Sequence, residues 1–294
     1  YEKDIDAVAH VAIVRWTPSP MSDAAFASVK EALENAELGP RITYTEEEAQ
    51  RSVTTLQEIF KRLEERNVDL YIVWGTAAAV QAVEEIKHAP MIVTTGHSHE
   101  AIAESENVSA VVVSTDATRQ ITFFQSLTDM QSLAFLYTEG DPNASIQLAE
   151  FSKAAEQYGI TLIPTAIASL KEMDSTVREL DARNIPVYFG CDSLIQSTDG
   201  NEMIKKVLNT YQLTAFGCTA ENVKNGALAS LANDPATIGS VMAGKVFLIL
   251  NGVSPLLAEA TRIQTPIATI NRRVAGMLRV SLTDPSRETI ELVQ

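Results

Sequence analysis

One stretch of the chain decides its organisation: Phe216-Gly217-Cys218-Thr219-Ala220-Glu221-Asn222-Val223-Lys224-Asn225-Gly226-Ala227-Leu228-Ala229-Ser230-Leu231. It reads as a strand, a polar loop, a glycine–alanine turn and a second short strand, and an amphipathic helix starts near Pro235. This succession without spacers is expected where a chain leaves one α/β lobe and enters another. We therefore predict that the stretch is a hinge.

The pattern on both sides of this stretch indicates two lobes of the same class. Short runs rich in β-branched residues alternate with helical periods, which is typical of a parallel sheet covered on both faces. Five such runs lie between Val8 and Val113, and the cycle starts again after Asp116. The chain has 294 residues, which is long for one core and suits two lobes.

We predict an α/β fold of two doubly wound parallel-sheet lobes joined by a multi-crossover hinge. The amphipathic helix near Pro235 is assigned back to the first lobe, and the tail to the second. The predicted boundaries are 1–116 plus 223–253 for lobe 1, and 117–222 plus 254–294 for lobe 2. Ligands of such sheets bind beyond the carboxyl ends of the strands, so facing lobes are expected to share a cleft.

Charge and hydropathy exclude several classes of partner. The net charge is −15, and no cluster of lysine and arginine stands out, so we expect no nucleic-acid partner. No apolar run reaches the roughly 18 residues that a membrane-spanning helix needs. Hydrophobic residues make up 46% of the chain, as in globular proteins.

Four segments together resemble the extracytoplasmic substrate-binding proteins of ABC transporters with the type I periplasmic-binding fold. The group nearest in pattern includes binders of tryptophan, tyrosine and phenylalanine, and the likeness covers nearly the whole chain. The segments are Gly75–Ala79, Leu136–Ser145, Phe189–Ser193 and the hinge stretch quoted above.

The resemblance implies a binder rather than an enzyme. It implies a monomer without a cofactor that captures a small polar ligand, such as an amino acid, and presents it to the membrane permease of an ABC transporter. It also implies a periplasmic or extracytoplasmic location, with a signal sequence that is not part of this chain. Closure is expected about crossovers near Asp116, Val223 and Ser254.

In amino-acid-binding relatives, a helix N-terminus and hydroxyls hold the ligand carboxylate, and an acidic residue holds the ammonium. Carried over by position, this implies Thr76 and Ala77 for the carboxylate and Asp192 for the ammonium. Asn143 and Thr219 are implied for polar contacts. The physical chemistry agrees, since a helix N-terminus carries free N–H groups and partial positive charge.

Aromatic and loop residues complete the predicted site. Trp16 and Trp74 each follow a strand of the first lobe, so both are candidates to stack on a ligand from one side, with core packing or a lobe contact as the alternative. Further ligand candidates lie in the cleft-forming loops, namely Thr95, His97 and Tyr137. The segment Thr94–His99 stands where relatives carry an aspartate–proline pair, and Glu139–Asp141 is more acidic than in relatives, so the ligand's identity stays open.

Three other motifs are weighed against simpler interpretations. His97 and His99 lack the helical spacing of a metal site, and we predict no metal. Gly239–Lys245 matches the first part of a P-loop, but lies inside a predicted helix and is rejected. Cys191 and Cys218 follow strands predicted to be neighbours. A disulfide and a nucleophilic thiol stay open for them, and apolar packing is favoured.

Two rival functions are also left open. A ligand-sensing ectodomain of a membrane receptor would have the same fold and pocket. A Rossmann-like enzyme is the other, although Trp16-Thr17-Pro18-Ser19-Pro20 stands where a dinucleotide-binding glycine turn would follow the first strand.

Overall fold

A computed structural model describes residues 8–36, 41–280 and 290–293. The chain forms two compact units, and it passes between them three times. Unit 1 comprises Tyr1–Ser114 and Pro235–Ile263, and unit 2 comprises Thr115–Asp234 and Gln264–Gln294. The parts of the predicted lobes at 1–7, 37–40, 281–289 and 294 lie outside the described residues.

The first pass through unit 1 alternates strands and helices. Its elements are β1 (Ala9–Arg15), α1 (Pro20–Asn35), β2 (Ile42–Glu48), α2 (Val53–Glu64), β3 (Leu70–Trp74), α3 (Thr76–Glu85), β4 (Met91–Thr95), α4 (Glu100–Ala103) and β5 (Val108–Val112). The chain then enters unit 2 with α5 (Ala117–Leu127), β6 (Ser132–Thr138), α6 (Pro142–Gln157), β7 (Thr161–Ile167), α7 (Leu170–Ala182), β8 (Val187–Phe189), α8 (Thr198–Thr210), β9 (Ala215–Gly217), α9 (Ala220–Lys224) and β10 (Ala229–Asn233).

The last fifth of the chain completes both units. Unit 1 receives α10 (Pro235–Leu250) and β11 (Thr261–Arg262), and unit 2 receives β12 (Pro266–Asn271), α11 (Arg272–Met277) and β13 (Ile290–Val293). The sheet of unit 1 has the order β11-β5-β4-β3-β1-β2, and that of unit 2 has the order β13-β12-β10-β9-β8-β6-β7. Among their pairs only β10 with β12 is antiparallel. The predicted α/β class with two parallel-dominated sheets is confirmed.

Local sequence explains where the elements of unit 1 begin and what they bury. Helix α1 starts at a capping box in which the hydroxyls of Ser19 and Ser22 each accept the other's backbone N–H, and Pro20 follows the cap. Its buried face includes Phe26 and Val29. Strand β3 is buried along four of its five residues, as expected for a central parallel strand.

Helix α10 packs closely against α1. A Cβ atom added to Gly239 would lie 2.5 Å from the backbone oxygen of Ala25, so only glycine permits this approach. The Ser28 hydroxyl donates to the Ala236 carbonyl oxygen across the same contact. The segment that resembles part of a P-loop is therefore helical and used in packing, which confirms its rejection as a nucleotide-binding loop.

The quoted stretch Phe216–Leu231 lies wholly within unit 2, so it isn't itself the connection between the units. Strand β10 pairs in parallel with β9 and antiparallel with β12, which fixes residues 229–233 to the second sheet. The second and third crossovers fall after Asp234 and Ile263, not near Val223 and Ser254. The first falls after Ser114, close to the predicted Asp116.

Substitution of Gly239 by alanine tests the contact between α1 and α10. We expect Gly239→Ala to lower the free energy of unfolding by about 1–3 kcal/mol, because backbone must move to admit the methyl group. Gly244→Ala is the matched control in the same helix, since its added Cβ would meet nothing within 4 Å. The control should gain up to about 1 kcal/mol from helix propensity. Equal urea midpoints for the two variants would contradict the close contact.

Candidate functional site

The strand orders place a topological switch point in each sheet. In unit 1 the order reverses between β1 and β3, and in unit 2 it reverses between β6 and β8. Ligands of open parallel sheets bind beyond the carboxyl ends of the strands at such points. The candidate residues follow these strands and β4 and β9, so they lie at the carboxyl edges of the two sheets.

At the edge of unit 1, Trp16 and Gly75 lie together. Gly75 has φ +107°, and a Cβ atom on it would lie 2.9 Å from the Cβ of Trp16, so both backbone conformation and space demand glycine. The Trp16 N–H donates to the Trp74 carbonyl oxygen at 2.9 Å, and the Gly75 N–H donates to that of Thr94 at 3.0 Å. Strands β1, β3 and β4 are thereby held in register where they end.

Helix α3 starts at this edge without a side-chain cap. Gly75 occupies the N-cap position and offers no side chain to the first N–H groups of the helix. Thr76 is buried, and its hydroxyl oxygen accepts the Gly96 N–H at 3.1 Å, which ties the start of α3 to the loop after β4. The partial positive charge at the N-terminus of α3 is therefore not compensated by a capping side chain.

The two tryptophans lie on opposite faces of the sheet, although the sequence suggested stacking from one side. Trp16 packs with the apolar cluster of α2 and α3, which includes Leu56 and Ala78. Trp74 packs with the cluster of α1 and α10, and its ring meets that of Phe26 edge-on at 5.6 Å. The alternation of side chains along neighbouring paired strands accounts for this separation.

A charged cluster supports the end of β1 next to Trp16. Arg15 is buried, and its guanidinium donates to the carboxylates of Asp23 in α1 and Glu46 in β2. Glu46 also accepts from Lys30. The hydrogen bond from Lys30 is the main reason that the pKa of Glu46 lies below its usual value, and Arg15 adds to the effect.

The loop after β4 carries the remaining candidates of unit 1. Thr95 and His97 are both buried. His99 occupies the position before α4, and its Nδ1 atom is buried without a hydrogen-bond partner among the described residues. Sequence reasoning weighed both histidines but named His97 as the ligand contact, so the unsatisfied ring nitrogen of His99 is a feature that it missed.

At the edge of unit 2, Asp192 is the most strongly engaged candidate. Its carboxylate accepts the Thr138 N–H at 2.9 Å and the Thr138 hydroxyl at 2.8 Å. It also accepts the N–H groups of Leu194 at 3.1 Å and Ile195 at 2.9 Å. Asp192 is only 1% exposed, so these internal donors, rather than solvent, surround the group predicted to hold a ligand ammonium.

Asp141 makes the reciprocal connection between the same two loops. One carboxylate oxygen caps α6 by accepting the N–H groups of Asn143 and Ala144, at 2.9 and 3.2 Å. The other accepts the Ser193 hydroxyl at 2.8 Å and its N–H at 3.1 Å. We call this set the double clamp, consisting of Thr138, Asp141, Asp192 and Ser193. An aspartate before a proline is a common helix start, so Asp141 could have been recognised from the sequence.

Asn143 lies in the first turn of α6, beside the double clamp. Its side-chain oxygen is buried and has no hydrogen-bond partner among the described residues. A buried acceptor without a donor is costly, which makes it a candidate for a ligand contact. Tyr137, another candidate, packs against the apolar cluster of α5 and α6, with its ring 6.0 Å from that of Phe135.

The loops after β8 and β9 are joined covalently. Cys191 and Cys218 form a disulfide, so the apolar packing favoured from the sequence is wrong and the pairing left open is correct. Thr219 follows directly, and its hydroxyl forms a capping box with Asn222 at the start of α9. That hydroxyl also donates to Gln196 at 3.4 Å. The predicted polar contact Thr219 is thus used as a helix cap.

A sequence model for the family described as "ABC transporter substrate binding protein" matches residues 10–286, almost the whole chain. The chain belongs to this family of ABC transporter substrate-binding proteins. Members bind small ligands outside the cytoplasm and deliver them to ABC permeases; they are solute-binding proteins, not enzymes. No curated protein sequence matches this substrate-binding protein.

Solved structures share the fold of this substrate-binding protein. An ABC domain from Streptococcus pneumoniae in complex with L-Trp is 19% identical, with a TM-score of 0.88, and the match covers 98% of this chain and 100% of that one. A conserved domain protein from Vibrio cholerae is 20% identical, with a TM-score of 0.87 and coverage of 97% and 100%. A solute-binding protein from Bacillus halodurans with bound myo-inositol is 13% identical, with a TM-score of 0.71 and coverage of 94% and 99%.

The described part of this substrate-binding protein contains no helix that combines the length and the apolar character needed to cross a membrane.

Removal of the Asp192 carboxylate tests its structural role. We expect Asp192→Ala to lower the free energy of unfolding by about 2–4 kcal/mol, because buried N–H groups lose their acceptor. Asp199→Ala is the matched control at an exposed position in the first turn of α8 and should change stability by less than about 0.5 kcal/mol. Similar urea midpoints for both variants would show that the loop doesn't need this carboxylate.

The same carboxylate gives the stability a defined pH dependence. Burial, with a contribution from the negative charge of Asp141, raises the pKa of Asp192 from 3.8 to about 6, although the Ile195 N–H and Thr138 lower it in part. Between these values the folded protein holds a proton that the unfolded chain has released. The contribution of Asp192 to stability is therefore present below about pH 4 and is lost as pH rises through about 6.

The test is the difference in unfolding free energy between the wild type and Asp192→Ala, followed from pH 5 to pH 7.5. This difference should decrease by at most about 1.4 kcal/mol per pH unit up to about pH 6, and then level off. A difference that increases with pH over this interval would contradict the raised pKa.

Proposed function

We propose that this chain is the extracytoplasmic solute-binding protein of an ABC importer and that it captures a small zwitterionic ligand, such as an amino acid or a related metabolite. Its family membership supports the general role. The ligand class rests on a difference in electrostatics between the carboxyl edges of the two units. We further propose that the protein acts as a monomer that passes the ligand to the membrane permease.

The observation that carries the proposal is the uncapped N-terminus of α3 at the switch point of unit 1. Its first N–H groups, at Thr76 and Ala77, are proposed to bind the ligand's carboxylate. A carboxylate at this position is attracted by the positive partial charge of the helix and accepts several hydrogen bonds, as other anions do at helix N-termini. Gly75 has no side chain that would compete with a ligand for these N–H groups.

Unit 2 offers the opposite electrostatics. Helix α6 begins at Asp141, whose carboxylate already accepts the first N–H groups, so this N-terminus is a poor site for an anion. Asp192 adds negative charge in the same loops. We propose that the side-chain oxygen of Asn143 accepts a hydrogen bond from the ligand's ammonium, and that Asp192 contributes its charge and shapes the loop.

The apolar part of the ligand is proposed to contact Trp16, which lies beside Gly75 at the same edge as α3. Contact with aromatic surface and charge-assisted hydrogen bonds would together provide the affinity. The direct ligand contacts expected of Trp74, Thr95, His97, Tyr137 and Thr219 stay predictions.

The disulfide supports the extracytoplasmic location. Disulfides persist in oxidising compartments and are rare in the cytosol. Both cysteines of this chain take part in the bond. This agrees with a protein that works in the periplasm or at the cell surface.

A thermal-shift screen tests the ligand class. The panel contains L-tryptophan, L-tyrosine, L-phenylalanine, the carboxylate-free analogue tryptamine, myo-inositol and D-arabinose. We expect at least one zwitterion to raise the unfolding midpoint by several degrees, since a ligand at 100 times its Kd stabilises by about 2.7 kcal/mol. Tryptamine should raise it less than L-tryptophan. A shift with myo-inositol or D-arabinose alone would overturn the zwitterion proposal.

Substitution of Asn143 tests the polar contact in unit 2. We expect Asn143→Ala to weaken binding of the zwitterion by about tenfold, the loss of one hydrogen bond to a charged group. Stability should change little, because the side-chain oxygen has no partner in the protein. Asn209→Ala, at an exposed helical position of the same unit, is the matched control and should leave Kd unchanged. Unchanged affinity in Asn143→Ala by calorimetry would remove Asn143 from the site.

A further inference from the structure

The disulfide joins two loops at the carboxyl edge of unit 2. Cys191 lies two residues beyond the end of β8, and Cys218 directly follows β9, the neighbouring parallel strand. Their Cα atoms are 5.4 Å apart, and 27 positions separate them in the sequence. The bond therefore links the ends of the strands, where ligands bind, rather than distant parts of the unit.

Each cysteine is directly followed by a residue of the candidate site. Asp192, a member of the double clamp, follows Cys191, and Thr219 follows Cys218. The backbone N–H of each cysteine is also held by a side-chain amide oxygen: Cys191 by Gln147 at 2.8 Å, and Cys218 by Asn222 at 3.0 Å. Each of the two loops is thus also held by a hydrogen bond of its own.

The non-covalent connection between these two loops runs through Gln196. Its side-chain nitrogen donates to the Gly190 carbonyl oxygen at 2.9 Å and to the Asn222 side-chain oxygen at 3.2 Å. Its side-chain oxygen accepts the Asn222 amide at 3.2 Å and the Thr219 hydroxyl at 3.4 Å. These are hydrogen bonds between uncharged groups, which are individually weaker than hydrogen bonds to charged groups. Only the disulfide fixes the separation of the loops covalently.

We propose that the Cys191–Cys218 disulfide is a positioning element of the ligand site. It holds the Asp192–Ser193 loop and the Thr219 loop as one preformed surface, so its reduction weakens ligand binding without unfolding the protein. The effect on binding rests on the proposed function; the effect on the loops doesn't. Preformed surfaces bind more tightly because less freedom is lost on binding.

Reduction by a dithiol defines the chemistry of the test. A thiolate of the dithiol attacks one cysteine sulfur, which breaks the disulfide and forms a mixed disulfide, and the other cysteine leaves as a thiolate that takes up a proton. The second thiol of the reagent then displaces the remaining cysteine. The reagent becomes a cyclic disulfide, and two electrons and two protons pass to the protein.

Backbone hydrogen exchange is the primary measurement, made on the oxidised protein, on the protein reduced with dithiothreitol, and on Cys191→Ser/Cys218→Ser. We expect amides of residues 190–193 and 218–219 to exchange at least about tenfold faster in both forms that lack the bond. Reoxidation of the reduced protein should restore slow exchange. The control is Val177→Ala, which removes buried volume from α7, outside the two loops, and lowers the stability of unit 2.

The control separates positioning from general stability. Unchanged exchange in the two loops after reduction, or an equal increase in Val177→Ala, would overturn the proposal. Calorimetry with L-tryptophan at a temperature where all forms are folded is the second measurement. If L-tryptophan binds the oxidised protein, we expect Kd to rise about tenfold on reduction and to stay constant in Val177→Ala. Equal Kd values would overturn the proposal. Failure of L-tryptophan to bind any form would count against the proposed ligand class, and hydrogen exchange would then decide the positioning role.

Discussion

The site in unit 2 depends on a reciprocal exchange of hydrogen bonds across the switch point between β6 and β8. Asp192, after β8, accepts from Thr138 at the end of β6, and Asp141, after β6, accepts from Ser193. Two carboxylates close together repel each other and resist burial. The backbone N–H groups of six residues offset this cost, because oriented dipoles stabilise negative charge.

This arrangement gives the two carboxyl edges different chemistry, although both belong to doubly wound sheets. In unit 1 a glycine begins α3, so the helix's partial charge is left for another group. In unit 2 an aspartate begins α6 and uses that charge internally. One fold, repeated within a chain, can therefore present an electropositive edge and an electronegative edge through the choice of a single N-cap residue.

The sequence predicted the fold better than it predicted the site. Apolar runs such as Leu70–Trp74 and helices such as Leu170–Ala182 have the bounds that their periodicity indicates. Periodicity failed at the hinge stretch, because it predicts a strand near residues 229–233 but not the sheet to which the strand belongs. Only the long-range pairing with β9 and β12 assigns it to unit 2.

The sequence predicted where the candidate residues lie in the fold but not which groups they contact. The alternation of strands and helices in the sequence predicts which residues lie at the ends of strands. Thr76, Asn143 and Asp192 lie at the carboxyl edges for this reason. A polar group at such an edge can face solvent or form hydrogen bonds within the protein. Which of these it does depends on contacts between residues more than 50 positions apart in the sequence, such as Thr138 and Asp192. The side-chain direction of Trp74 likewise depends on the face that α1 covers.

Lys245 has a consequence for engineering this protein. Its ammonium donates to the Ser109 hydroxyl at 2.8 Å and to the Ala258 carbonyl oxygen at 3.0 Å, and also to that of Glu259. Burial lowers its pKa, and its three donors radiate from one nitrogen, an arrangement that the planar fork of arginine does not reproduce. A fluorescent reporter domain inserted between Asn251 and Leu257 would enter an exposed turn. A domain inserted two residues after Leu257 would instead separate the backbone at Ala258 and Glu259 from the Lys245 ammonium that holds it.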